Sequence, residues 1–204
     1  MKLKDKQAKV YMVCGKARHG KDTLASYMKN EFEKEGKSAI ILHFSTYIKD
    51  YAKMISTWDG SEETKPRELL QVLGTDIIRN KVDELLFINR IKEDIKVYSF
   101  FFDVVIIADT RLEIEINEIN NEFNDVSVIH INRPYFEEEL NSKQKQHRTE
   151  TGLDNFNNYD FKVINDKEKE ALIGEAIKII GEWHHGCKRK VYKFFRKKRT
   201  WANI

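Results

Sequence analysis

The stretch VCGKARHGKDTLASYMKN, residues 13–30, contains two glycines that enclose four residues, with a lysine directly after the second glycine. Gly15, Gly20 and Lys21 thereby match the G-x-x-x-x-G-K core of a phosphate-binding loop. In such a loop the glycines let the backbone curl so that successive N–H groups point at phosphate oxygens, and the lysine adds a mobile cation. The stretch therefore predicts a nucleotide phosphate site, if a strand precedes it and a helix follows.

The residues on either side of the loop provide that context. AKVYMVCG (8–15) is almost continuously apolar, which is typical of a strand buried on both faces of a parallel sheet. After the loop, Leu24, Met28 and Phe32 recur at helical spacing, so the helix would direct its positive dipole end at the phosphates. We predict that the nucleotide contacts Gly15, Ala17, His19, Gly20, Lys21, Asp22 and Thr23.

One position departs from the common form of this motif. Asp22 stands where a Ser or Thr normally follows the lysine and binds Mg²⁺, and Thr23 comes one place later. We interpret Thr23 as a ligand of the phosphates or of the metal, with water completing the metal shell. Asp22 also suits the helix dipole without any binding role. Kinases of the adenylate kinase type have a similar sequence here, so the motif favours a small kinase over a GTPase or a motor ATPase.

Further apolar runs alternate with helical patterns along the chain. The predicted strands after the first are 38–45, 103–111, 126–133 and 161–166. The predicted helices after the first are 46–57, 67–95, 112–123 and 167–185, and 67–95 is expected to break near Gly74 or Asn80. This alternation predicts one α/β domain, a three-layer sandwich like that of P-loop NTPases, with a parallel sheet of about five strands and right-handed crossovers.

Composition limits the class of protein. The chain has 204 residues, 41% of them hydrophobic and 34% charged, as expected for a soluble globular protein with one core. It contains no secretory signal pattern and no apolar run near the roughly 20 residues of a membrane span. The two cysteines form no metal pattern, and a cytoplasmic, reducing location is the simplest interpretation. Residues 187–204 contain eight Lys or Arg; subtracting these from the net +3 leaves −5 for residues 1–186.

Two groups of polar residues accompany predicted elements. Asp109, Arg111 and Glu115 follow the strand 103–111, and the carboxyl ends of strands line the ligand crevice of open α/β sheets. An aspartate there can hold Mg²⁺ through water or bind a substrate hydroxyl, and an arginine can clamp a phosphate. A second set lies at four-residue steps, which predicts one helical face that either is solvated or lines a cleft: Arg67, Gln71, Thr75 and Arg79.

The polar segment 134–160 follows the fourth strand, where a kinase of this architecture has its lid. Positive side chains in and beside it could approach the transferring phosphoryl group when the lid closes and excludes water. They are Arg133, Lys145, His147 and Arg148. A flexible charged loop without a catalytic role is the alternative.

Taken together, GKARHGKDT, RELLQVLGTDIIR, DTRLEIEINEI and HRTETGLDNFNNYDFKVIND resemble, in order, the deoxynucleoside monophosphate kinase family of phages and bacteria. The resemblance covers most of residues 8–180. It implies a kinase domain over 1–186 that uses ATP and Mg²⁺ to phosphorylate a deoxynucleoside 5′-monophosphate. Lys21, Arg133 and Arg148 would be catalytic, and Thr23 and Asp109 would serve the metal, in part through water. The substrate-binding set would be Arg67, Gln71, Thr75, Arg79, Asp109, Arg111 and Glu150.

Several alternatives stay open. Dephospho-coenzyme A kinase and phosphomevalonate kinase look like relatives, so the acceptor could be another small phosphorylated molecule. The basic and aromatic tail CKRKVYKFFRKKRTWANI (187–204) would also suit nucleic-acid binding, a membrane-surface helix, or a helix packed on the domain. The sequence names neither the base nor the oligomer, and a homodimer is one option.

Overall fold

The computed structural model describes residues 3–4, 6–134, 136, 147–166 and 170–181. Lys145 and the tail 187–204 lie outside the described residues, and so do the predictions made for them. The strands are β1 (Lys9–Cys14), β2 (Ala39–Leu42), β3 (Val104–Thr110), β4 (Val126–Asn132) and β5 (Phe161–Ile164). The helices are α1 (Lys21–Lys34), α2 (Ser45–Ile55), α3 (Arg67–Gln71), a π-helix (Val72–Val82), α4 (Leu86–Ser99), α5 (Glu113–Glu122), α6 (Arg148–Thr151) and α7 (171–181).

The five strands form one parallel sheet in the order β2-β3-β1-β4-β5. All residues of β1 are buried, because this strand has neighbours on both edges and helices on both faces. The predicted parallel sheet of about five strands is confirmed. Since parallel strands end at the same edge, the loop after β1 lies beside the residues that follow β3 and β4.

Alternate side chains of β1 point into two separate cores. Val10 and Met12 pack with α2, the π-helix, α4 and α5 on one face of the sheet. Tyr11 and Val13 pack with α1 and α7 on the other face. The result is the predicted three-layer arrangement. Among the described residues, no helix combines the length and the apolar composition that a membrane crossing requires.

The region 67–95 is helical with one break, as the sequence predicts, but the break lies at a different position. α3 runs directly into the π-helix at Val72, and the helical path ends at Asp83, whose backbone is extended. The break thus falls three residues after Asn80, and the helical path continues through Gly74. Gly74 instead allows close packing, since an added Cβ would lie 2.9 Å from Ile48 Cδ1. The wider i→i+5 turn also rotates side chains away from their α-helical positions. As a result Ile77 is 41% exposed, although its neighbour Ile78 is buried.

Candidate active site

The phosphate-binding loop connects β1 to α1 and contains two glycines in conformations that other residues rarely adopt. Gly15 has a φ of 152° and Gly20 a φ of 99°. A Cβ added at Gly15 would lie 2.4 Å from the carbonyl oxygen of Ile131 in β4. A Cβ added at Gly20 would lie 2.7 Å from Asn165 Nδ2. Both positions thus require glycine, for its backbone freedom and for the close approach of β4 and the residues after β5.

Lys21 folds back over this loop. Its Nζ donates hydrogen bonds to the carbonyl oxygens of Gly15 (2.8 Å) and Lys16 (2.7 Å). The residue is only 6% exposed. Burial, with a smaller contribution from the charge of Arg111, lowers the pKa of Lys21 to about 8. The ammonium group is therefore a desolvated cation that an arriving phosphate would stabilise.

A carboxylate already occupies part of the anion-binding face of the loop. The backbone N–H of Ala17 donates to Glu150 Oε2 at 3.0 Å. The other oxygen of Glu150, Oε1, accepts a hydrogen bond from Arg111 Nη1, and the two residues form an ion pair. Glu150 lies in α6 and is buried. One carboxylate from the segment predicted to be the lid thus connects the phosphate-binding loop to an arginine at the end of β3.

His19 fixes the loop to neighbouring strands. Its Nδ1 accepts a hydrogen bond from the backbone N–H of Arg133 at 3.2 Å. Asn165 Nδ2 donates to the carbonyl oxygen of His19 at 3.0 Å. Burial, followed by the charge of Lys21, lowers the pKa of His19. To accept the hydrogen bond from Arg133, the Nδ1 atom must be unprotonated, and the lowered pKa favours that form of the ring. His19 therefore stabilises the shape of the loop.

Asp22 is paired outside the loop. Its Oδ1 lies 3.0 Å from Nε2 of His43, the residue that directly follows β2. This hydrogen bond lowers the pKa of Asp22 and raises the pKa of His43. Thr23, one residue further along α1, is half-buried. Over the described ranges, no group of three or more His, Cys, Asp or Glu side chains is arranged to hold a metal ion.

Asp109 caps α2. Its Oδ1 accepts from the backbone N–H of Phe44 at 2.8 Å, and its Oδ2 accepts from that of Ser45 at 2.9 Å. A carboxylate at this position satisfies orphan N–H groups and favours the positive end of the helix dipole. Asp109 therefore attaches α2 to the carboxyl end of β3, a role that its sequence position did not suggest.

A second carboxylate organises the turn after β3. Glu115 Oε1 accepts from Arg79 Nη2 at 2.6 Å, and Oε2 accepts from the backbone N–H groups of Arg111 (2.8 Å) and Leu112 (3.1 Å). The side chains of Arg79 and Glu115 are 5% and 3% exposed. Burial raises the pKa of Glu115, while Arg79 and the two N–H groups act in the opposite direction.

The row predicted to share one helical face does not share one environment. Arg67 is exposed, Gln71 is half-buried, and Thr75 and Arg79 are buried. The change from α3 to the π-helix falls between Gln71 and Thr75, so the four-residue spacing does not describe a single face. Of these four residues, Arg79 is the one connected to the turn after β3, through Glu115.

Two of the predicted lid cations, Arg133 and Arg148, are exposed in this structure. The guanidinium of Arg133 lies 4.6 Å from the centre of the Phe136 ring. Arg148 Nη2 forms an ion pair with Glu84 Oε1 at 2.6 Å. His147 caps α6 by accepting from the backbone N–H of Thr149. Within the described contacts, the side chains of Arg133 and Arg148 do not reach the loop, so a catalytic role would need the segment to move.

Sequence reasoning missed two residues that support the site. Asn165 has no local motif, and nothing in its surroundings indicates contact with His19. His43 was placed inside the predicted strand 38–45, whereas β2 ends at Leu42. Had the predicted strand ended at Leu42, His43 would have been expected at the carboxyl edge of the sheet. The position of the strand end was therefore the signal that could have identified His43.

Comparison with known proteins identifies a family and a fold. A family model described as deoxynucleotide monophosphate kinase matches residues 32–175, more than half of the chain, starting after the phosphate-binding loop. A comparison with curated proteins gives no match. A sugar kinase from Janibacter sp. HTCC2649 has a TM-score of 0.54 and 11% identity, covering 84% of this chain and 93% of that one.

A second solved structure is the Mycobacterium tuberculosis APS kinase CysC in complex with AMPPNP and APS. It has a TM-score of 0.50 and 14% identity, and it covers 86% of this chain and 98% of that one. At such identities the two structures show that the chain shares their fold. The family model adds the reaction type, that of a phosphotransferase. The chain therefore belongs to the deoxynucleotide monophosphate kinase family.

Proposed function

We propose that this P-loop kinase transfers the γ-phosphoryl group of ATP to a deoxynucleoside 5′-monophosphate, giving the diphosphate and ADP. The observation that carries the proposal is the position of Glu150, which binds Ala17 N–H and the Arg111 guanidinium at once. Glu150 therefore contacts both the loop that would bind the donor phosphates and the arginine that would bind the acceptor phosphate. Phosphoryl transfer needs this proximity, because donor and acceptor phosphates must meet in line.

On the donor side, the loop N–H groups and Lys21 would bind the ATP phosphates. Thr23 and Asp109 would hold Mg²⁺. Both are oxygen donors, which Mg²⁺ prefers, and each Asp109 oxygen accepts one N–H and retains a further lone pair. These residues therefore fit a hydrated Mg²⁺ bound through water. When bound, the metal neutralises charge on the phosphates.

On the acceptor side, Arg111 would exchange Glu150 for the phosphate of the monophosphate. Arg67 and Arg79 are the other proposed phosphate ligands, and Gln71 and Thr75 would contribute polar groups to the substrate site. A strong general base is not required, since the attacking phosphate oxygen is already ionised. Segment 134–160 would act as a lid, and its closure would bring Arg133 and Arg148 to the developing charge.

A coupled ADP-release assay tests this function. The acceptors are deoxynucleoside and ribonucleoside monophosphates, dephospho-coenzyme A and phosphomevalonate. We expect turnover with at least one deoxynucleoside monophosphate, and a loss of orders of magnitude in Lys21→Ala. Arg111→Lys keeps the charge but loses the planar fork, so it should raise the acceptor KM with little change in the KM for ATP. Turnover only with one of the last two acceptors would reject the proposed substrate class.

We propose that residues 1–186 contain every group that the reaction needs. Truncation after Gly186 removes eight basic residues and should preserve kcat towards monophosphates. The alternative partner for the tail is nucleic acid, and its binding would weaken steeply with salt because counterion release dominates such contacts. Tight, salt-sensitive binding by the full chain, without phosphorylation of any monophosphate, would favour that alternative.

A further inference from the structure

Glu115 joins two parts of the acceptor side that are far apart in sequence. It accepts one hydrogen bond from Arg79 in the π-helix and two from the backbone after β3. The carboxylate is buried, so its donors are protein groups rather than water. Three donors on one desolvated carboxylate fix the position of the π-helix relative to the turn that carries Arg111.

Arg79 has a donor that this arrangement does not use. Its Nη1 is buried and has no hydrogen-bond partner among the described residues. Buried donors in native proteins are nearly always paired, and an unpaired one indicates a missing water, ion or ligand. The guanidinium also lies 5.6 Å from the centre of the Phe87 ring, which limits its movement. The Arg79 guanidinium is thus held in place, while its Nη1 donor has no hydrogen-bond partner among the described residues.

The two carboxylates beside Arg111 differ in how easily they can leave. Glu150 lies in α6, a single turn within the proposed lid, and binds the Arg111 side chain. Glu115 lies in α5, is fully enclosed, and binds the Arg111 backbone. A substrate phosphate could displace Glu150 from Arg111, but it could not displace Glu115 without opening the core. Glu115 is therefore the fixed member of the pair.

We propose that Glu115 is a positioning residue for the acceptor. It holds the Arg79 guanidinium and the Arg111 main chain in one fixed relation, so that Arg79 Nη1 and the Arg111 side chain bind the acceptor phosphate together. Glu115 does not touch the substrate, because its two oxygens are already engaged by Arg79, Arg111 and Leu112. This inference rests on the proposed function and names the residue that sets its acceptor geometry.

Glu115→Gln provides the test, because it keeps the size and one oxygen acceptor but removes the counter-charge of Arg79. The expected result is a rise of about 10- to 100-fold in the KM for the monophosphate, the value of one charged hydrogen bond. The KM for ATP should stay within about twofold, since the loop is intact. The matched control is Glu118→Gln in the same helix as Glu115, which removes the charge that Lys92 of α4 contacts at 2.6 Å and should leave both KM values unchanged.

A second variant covers the case in which Glu115→Gln does not fold. In Arg79→Met/Glu115→Gln no unpaired charge is buried, so the fold should be retained, as checked by circular dichroism and the melting temperature. If Glu115 positions the acceptor arginines, this double variant still has a raised acceptor KM.

Recovery of the wild-type acceptor KM in the double variant would show that the pair only stabilises the fold, and would overturn the inference. An unchanged acceptor KM in Glu115→Gln would also overturn the inference, and so would an equal rise in the KM for ATP. If the wild-type protein phosphorylates no monophosphate, the proposed function fails first, and this inference fails with it.

Discussion

Nucleotide binding should take up a proton near pH 8, because Lys21 is desolvated in the free protein. Burial lowers the pKa of Lys21 to about 8, so the amine is neutral above that pH and charged below it. Bound phosphates favour the charged form and raise this pKa again. At pH 8, where about half of the free molecules lack the proton, binding should take up roughly 0.5 proton, and at pH 7 only about 0.1. Affinity should then fall by up to about tenfold per pH unit above pH 8.

The assay is isothermal titration calorimetry with AMPPNP in buffers of different ionisation enthalpy. The slope of the observed enthalpy against the buffer enthalpy gives the number of protons taken up at each pH. Lys21→Arg is the control, since a guanidinium stays charged at every pH used, and its proton uptake at pH 8 should be close to zero.

Two results would refute this reasoning. Equal enthalpies in all buffers at pH 8 would mean that Lys21 is fully charged in the free protein. The same proton uptake in Lys21→Arg as in the wild type would assign the titration to another group. His43 is the first to examine, because Asp22 raises its pKa.

Other predictions follow from the same contacts. Gly15→Ala should abolish measurable AMPPNP binding, since its Cβ would lie 2.4 Å from the Ile131 carbonyl oxygen; wild-type binding would contradict the loop geometry. Asp109→Asn weakens the cap of α2 and should cost about 1 kcal/mol, a shift of roughly 2–4 °C in Tm by calorimetry. An unchanged Tm would show that the cap does not stabilise the fold. Glu150→Gln should tighten AMPPNP binding up to about tenfold, because it removes a carboxylate that competes for Ala17 N–H. Weaker binding would instead mean that Glu150 contacts the nucleotide.

The sequence was most informative where the determinants are local. The loop was found because Gly15, Gly20 and Lys21 are close in the chain and each has a backbone or charge requirement. The strands were found because residues such as those of β1 are buried on both faces and therefore apolar.

The remaining features depend on contacts that spacing cannot reveal. Glu150 meets Ala17 across 133 positions, and Asn165 meets His19 across 146. The π-helix was also hidden, because its apolar residues satisfy an α-helical pattern equally well. Asp109 lies near the carboxyl end of β3, where the sequence placed it, but the pattern gave no indication that its carboxylate caps α2.

The most direct measurement of the central claim follows the transferred group itself. The full chain is incubated with a deoxynucleoside 5′-monophosphate, Mg²⁺ and ATP labelled in its γ-phosphoryl group, and the products are separated. We predict that the label appears in the deoxynucleoside diphosphate, with ADP formed in equal amount and no label transferred by Lys21→Ala. Label found only in inorganic phosphate, or retained in ATP with every deoxynucleoside monophosphate tested, would contradict the account.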